Sequence, residues 1–260
     1  MKKVIYYSDE QNDDFSPLTI NAREVPENFS YISKNVVFKA VSWFLYNIIC
    51  RPIAKLYLNF VFLCKFKNRK VLKQVKKQGY FLYINHTQTA ADAFLPTCVM
   101  DRKKNYIVVS PATISIPGIK NLVKMLGAVP LASTYKKQKE MINCLDSVIR
   151  KKNVVTIYPE AHIWPYYTKI REFSEGSFIY PVKFSAPVFA VTNCYKKRLI
   201  GKKPRIVSYV DGPFYPSKDL SRKEAMIELK DKVYNAMVER SEKESNYEYI
   251  TYIKNEKKGE

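Results

Sequence analysis

At 260 residues, 47% of them apolar and 14% aromatic, the chain is long enough for one packed domain with short extensions and too short for two full ones. Only seven glycines occur, which excludes collagen-like repeats and long flexible linkers. The net charge of +20 sits on the middle of the chain, where residues 31–240 carry 37 basic and 13 acidic side chains; such a body attracts polyanions, namely anionic lipid, nucleic acid or an acidic substrate carrier.

Residues 1–30 hold Asp9, Glu10, Asp13, Asp14, Pro17 and Pro26 and are expected to form a loosely attached acidic arm. They lack the apolar run of a secretory signal, so the chain is not expected to be exported. Residues 31–78 change character. From 35 to 64 nearly every residue is apolar or aromatic, and Lys39, Arg51 and Lys55 are the only charges. The uncharged runs 40–50 and 56–64 are each about half of the ~20 residues that cross a bilayer. A break at Arg51-Pro52 therefore predicts a hairpin of two short helices lying in the membrane interface, where Trp43, Tyr46 and Tyr57 favour the head-group boundary. The same pattern is compatible with a hairpin packed on the protein's own core, or with one tilted span. Lys65, Lys67, Arg69, Lys70, Lys73, Lys76 and Lys77 follow as an expected basic helix against anionic lipid.

Residues 79–240 alternate short β-branched or aromatic runs (80–84, 106–109, 128–131, 154–158, 188–192, 205–210) with helical patterns at about 89–100, 117–126, 136–151, 174–184 and 218–240. This alternation predicts an α/β fold, a mixed, largely parallel sheet flanked by helices, preceded by the membrane-associating hairpin. Residues 241–260 are expected to be a charged tail. The cysteines at 50, 64, 98, 144 and 194 form no C-x-x-C pair, so neither zinc nor a disulfide framework is expected, and a reducing cytosolic environment fits.

Ligands of open α/β sheets bind at loops after the carboxyl ends of strands, and the chain's two histidines fall in two such loops. His86 follows the run 80–84, with Asp92 six positions on. On one continuous helix six residues turn about 600°, leaving the side chains about 120° apart. The pair can meet only if His86 lies in the loop and Asp92 in the first turns of the next helix. Thr89 and Asp92 have capping-box spacing, which gives Asp92 a competing role as a helix cap. Paired, the carboxylate would accept one ring N–H and leave the other nitrogen as a base for a hydroxyl proton.

These residues resemble those of the glycerolipid acyltransferases, the 1-acylglycerol-3-phosphate acyltransferase-like family, whose first block is Asn-His-x4-Asp. Here Asn85, His86 and Asp92 match it with five intervening residues, as in a variant Asn-His-x5-Asp subgroup. Further blocks follow in the family's order. Residues 126–134 (LGAVPLAST) are similar to a Gly-led apolar strand, Tyr158-Pro159-Glu160-Ala161-His162-Ile163 to Phe-Pro-Glu-Gly-Thr-Arg, Phe173-Ser174-Glu175-Gly176 to Phe-Lys-x-Gly, and 186–191 to a Pro-led strand.

The resemblance implies an acyltransferase at the cytoplasmic face of a membrane, peripheral or monotopic, with His86 as general base and Asp92 as its orienter. Asn85, Glu160, His162, Lys169, Arg171 and Gly176 are then expected around the substrates. The implied acceptor is a lysophospholipid or glycerol phosphate. The implied donor is acyl-CoA, acyl carrier protein or acyl phosphate, with no metal or other cofactor and no nucleic acid. A catalytically silent lipid-binding relative is a second reading, motivated by the altered blocks. A nucleic-acid-binding protein is a third, from the basic clusters at 102–104, 136–139, 150–152 and 196–205. No H-x-x-x-H spacing favours a metal hydrolase and no G-x-S-x-G elbow a serine hydrolase.

Overall fold

The run YFLYI at residues 80–84 is buried at every position, the pattern of a strand covered by helices on both faces. A computed structural model shows how the chain surrounds it, describing residues 3–16, 24–100, 103–116 and 118–255. The first elements are β1 (Lys3–Tyr7), α1 (Val36–Phe44), a π-helical segment (Leu45–Cys50), α2 (Arg51–Val61), β2 (Lys65–Lys67) and a 3-10 helix (Arg69–Val75). Next come β3 (Tyr80–Ile84), α3 (Ala91–Val99), β4 (Asn105–Val109), α4 (Ala112–Ser115), α5 (Lys120–Met125), β5 (Ala128–Pro130), α6 (Tyr135–Arg150) and β6 (Val154–Ile157). A second 3-10 helix (Glu175–Phe178) leads into α7 (Ile179–Phe184), β7 (Val188–Lys196), β8 (Arg205–Phe214), α8 (Arg222–Glu244) and β9 (Ile250–Lys254).

Among the described residues, seven strands form one sheet in the order β2-β8-β7-β3-β6-β4-β5. β3 runs parallel to β6 and β7, and β4 runs parallel to β5 and β6, while β8 is antiparallel to β7. The sheet is thus mixed and largely parallel. Alternate side chains of β3 feed two cores. Tyr80, Leu82 and Ile84 pack with Leu58 of α2 and Leu95 and Val99 of α3. Phe81 and Tyr83 pack on the other face with Leu145 and Val148 of α6 and Leu229, Val233 and Met237 of α8. Gly127 joins α5 to β5 at φ +102, where an added Cβ would come within 2.3 Å of the Asn105 carbonyl oxygen.

The apolar segment is one helix over Val36–Phe62, not the expected hairpin. Pro52 breaks the α-helical ladder, but a π-turn in which the Arg51 N–H donates to the Tyr46 carbonyl carries the helix past it. One side is docked on the domain. Ser42 Oγ donates to the Met125 carbonyl (2.6 Å), the Tyr46 hydroxyl accepts from the Asn105 N–H (2.9 Å), and Arg51 donates to the Lys103 carbonyl (2.6 Å). The other side exposes Trp43, Phe44, Ile48, Ile53, Leu56 and Phe60. By length and composition the helix is apolar enough to cross a membrane.

The expected basic helix at 65–77 is instead β2, an edge strand on β8, followed by Asn68 at φ +59 and the 3-10 helix. Phe66, Leu72 and Val75 face the core and hold this segment against it. The terminal segments also differ from expectation. β1 pairs in parallel with β9 through Lys3–Ile250 to Tyr7–Lys254, so the described arm is fastened to the expected tail. Residues 1–2 and 17–23 of the arm, 256–260 of the tail and Pro117 at the start of an expected helix lie outside the described residues.

Candidate active site

β3 and β6 are neighbours, and the loops leaving their carboxyl ends carry His86 and Glu160. The first loop is fixed at its root. The Asn85 side chain accepts the Asn193 N–H (2.8 Å) and donates to the Asn193 carbonyl (3.2 Å), which ties the end of β3 to β7. Asn85 is therefore turned into the sheet.

The helix after the loop begins at Ala91, with Ala90 as an N-cap that makes no side-chain capping bond. No capping box forms at Thr89. Asp92, in the first turn of α3, instead reaches back: its Oδ2 accepts the Gln88 N–H at 2.9 Å and lies 2.8 Å from Nδ1 of His86. The five residues between His86 and Asp92 are taken up by this loop. It is held by the Tyr195 hydroxyl, 2.8 Å from Thr87 Oγ1, which accepts from Gln88 Nε2 at 3.0 Å, and by the Tyr166 N–H on the Thr87 carbonyl at 3.0 Å.

The His86 ring stacks on Tyr158, with centroids 4.3 Å apart, and the Tyr158 hydroxyl donates to the Asp92 carbonyl at 2.5 Å. The Asp92 side chain is 2% exposed and that of His86 16%, so the pair is sealed on the carboxylate side and open on the imidazole side. Burial pushes the Asp92 carboxyl above its ordinary value of 3.8, against the opposing pull of the His86 hydrogen bond and the Gln88 N–H. With Asp92 as acceptor, Nδ1 carries the proton and Nε2 bears a free lone pair, an arrangement able to take a proton from a hydroxyl group.

Glu160 sits behind the loop. Its Oε2 accepts the His86 N–H at 2.8 Å, its Oε1 accepts the Arg171 N–H at 2.9 Å, and the Arg171 guanidinium lies 3.6 Å away. Burial raises the Glu160 carboxyl, and Arg171 opposes the shift. Arg171 also donates to the His162 carbonyl and covers the Trp164 ring at 5.0 Å. Both side chains are buried, and they brace the backbone of His86. Ala161, at the position of the family's glycine, has φ +62, the left-handed conformation that a glycine adopts freely.

The remaining expected residues lie apart. His162 faces the arm, its Nδ1 3.9 Å from Asp14. Lys169 is exposed. Gly176 lies in a four-residue 3-10 helix whose Phe178 packs into the core on the sheet face opposite α3. Sequence reasoning missed Trp164, which is fully buried, donates its backbone N–H to the His86 carbonyl at 3.1 Å, and packs on Tyr7, Phe15 and Tyr252. It missed Tyr195 as well. The signals were a tryptophan four residues past Glu160 and a tyrosine near the end of a long strand.

No curated protein matches the chain in sequence. Among solved structures it is similar to the crystal structure of the 1-acyl-sn-glycerophosphate (LPA) acyltransferase PlsC from Thermotoga maritima, at 14% identity and a TM-score of 0.54, covering 82% of this chain and 98% of that one. At that identity the likeness carries the fold. The acyltransferase family model matches residues 63–193, half of the chain, and that stretch runs from β2 through β3, β4, β5 and β6 into β7. Because the match spans the parallel core of the sheet together with His86, Asp92 and Glu160, the chain belongs to the acyltransferase family, as its resemblance to the glycerolipid acyltransferases implied.

Proposed function

We propose that the protein transfers a fatty acyl group from a thioester or acyl-phosphate donor to the hydroxyl of a lysophospholipid or glycerol phosphate at the cytoplasmic surface of a membrane, with His86 as general base. The observation that carries this reading is the 2.8 Å contact of Nδ1 with a buried carboxylate, on a ring that is open to the outside. The acceptor oxygen gives its proton to Nε2 and attacks the acyl carbonyl carbon. The tetrahedral intermediate collapses, the bond to sulfur or phosphate oxygen breaks, and the imidazolium returns the proton to the leaving group. No acyl-enzyme is required. A positioned base contributes roughly 10²–10⁴-fold, so orientation of both substrates and donors aimed at the carbonyl oxygen must supply the rest.

The membrane clause is supported by the exposed apolar side of α1 and α2 and by the lysines that follow it. With the Arg171 side chain buried, an acceptor phosphate is left to exposed cations such as Lys169. An acidic donor, whether coenzyme A, acyl carrier protein or acyl phosphate, suits the basic body. The test is a panel of lysophospholipids and glycerol 3-phosphate offered with each donor, products resolved by mass. One acylated acceptor from the panel is expected; acylation of none removes the substrate class and leaves the silent relative.

A further inference from the structure

β7 and β8 form a hairpin that runs on past the end of β3, with β2 alongside β8 as far as Val207. The last pair between β3 and β7 is Ile84 with Val191, yet β7 continues to Lys196 while still paired with β8. At about 3.3 Å per residue, the hairpin rises roughly 16 Å past the strand end that leads to His86. Its tip carries Leu199, 105% exposed, and Ile200, 90% exposed, followed by Gly201 at φ +91. Six cations flank these two residues in sequence (Lys196, Lys197, Arg198, Lys202, Lys203 and Arg205); Lys196 is paired with Glu244 of α8 at 2.7 Å, and no carboxylate occurs between 196 and 205.

Two aliphatic side chains at the apex of a basic turn are unfavourable in water and favourable across a head-group boundary, where the aliphatics enter the acyl region and the lysines stay with the phosphates. The tip is also continuous with the exposed apolar helix. Arg198 donates to the Val61 carbonyl at 2.6 Å, beside the exposed Phe60, Val61 and Leu63. Nucleic acid would use the cations but has no apolar phase for Leu199 and Ile200.

We propose that the β7–β8 hairpin is a second membrane-insertion element, specific for bilayers containing anionic lipid, which turns the carboxyl edge of the sheet and His86 toward the lipid surface. This deepens the membrane clause of the function proposed above and rests on it. Tyr195, on the same hairpin, bonds Thr87 and Gln88, which ties the inserted element to the loop bearing His86.

The test is flotation of the full chain with phosphatidylcholine vesicles that contain or lack phosphatidylglycerol, together with acylation of a bilayer-embedded acceptor and of a short-chain monomeric one. Leu199→Asp/Ile200→Asp is expected to weaken binding to anionic vesicles at least about tenfold. Acylation of the embedded acceptor should fall in parallel, while the monomeric acceptor is used within about twofold of the wild-type rate. Lys202→Gln/Lys203→Gln is expected to reduce the preference for anionic over neutral vesicles by about fivefold per lysine. Unchanged flotation of the aspartate variant overturns the proposal, and so does loss of single-stranded RNA binding in the glutamine variant with vesicle binding intact. A wild type that acylates nothing, yet leaves the vesicles when its hairpin is altered, sinks the reaction and upholds the hairpin.

Discussion

At His86 the ring stacks on Tyr158 and is held at Nδ1 by a carboxylate that burial has moved away from its ordinary titration range. That shift has a definite sign. A carboxyl whose pKa is raised in the folded state binds more protons there than in the unfolded chain, so its contribution to stability is full below the ordinary value of 3.8 and is lost as pH rises through the folded value. Asp92 thus costs stability at neutral pH. Asp92→Asn is expected to unfold at a temperature equal to or above the wild type at pH 7, with that component of the pH dependence gone, while acyl transfer falls by roughly 10²–10⁴ because the tautomer is no longer fixed. Thermal scans from pH 3 to 8 beside an activity assay check both halves. Three residues after Tyr158, Ala161 holds a left-handed φ of +62. Ala161→Gly relieves that strain and is expected to leave urea stability unchanged or raise it by up to about 1 kcal/mol, offset in part by the glycine's greater freedom when unfolded. The His86–Asp92 contact was legible because helix geometry left only one way for the pair to meet. The capping box was not distinguishable, since the same carboxylate can reach the helix start or the loop.

Between elements, the loop after β6 is held by the chain's two ends. Trp164 donates Nε1–H to the Asp13 carbonyl at 2.8 Å, stacks on Tyr252 of β9 with centroids 4.9 Å apart, and donates its backbone N–H to the His86 carbonyl. Trp164→Ala is expected to lower stability by about 3–5 kcal/mol. It should also raise amide exchange in β1 and β9, and slow acyl transfer without touching substrate; a denaturant titration and an exchange map read these out. Trp164→Phe should restore part of each. The arm and tail read as loose from their charges, because β1 and β9 are each five residues long and find their partner about 250 positions away. Such pairing leaves no local signal. The long β-rich runs, by contrast, were readable as strands from side-chain type alone. Their spatial order was not, because it depends on which crossover connections pack.

On the scale of the molecule, a basic body carries an apolar helix on one side and a basic, apolar-tipped hairpin beyond its catalytic edge. The class of fold followed from alternation of periods. The expected break at Arg51-Pro52 did not materialise because a π-turn accommodates the proline, and Tyr46, expected at the head-group boundary, binds the domain instead, together with Ser42 and Arg51. Within this frame the imidazole of His86 is partly exposed, bound to Asp92 through Nδ1, and has a braced backbone behind it. The most direct test of the account is the rate of acyl transfer by His86→Ala relative to wild type, with one donor and one vesicle-borne acceptor, alongside thermal unfolding that shows the variant folded. The account predicts a fall of about 10²–10⁴ at an unchanged fold; a folded variant that transfers acyl groups at the wild-type rate would contradict it.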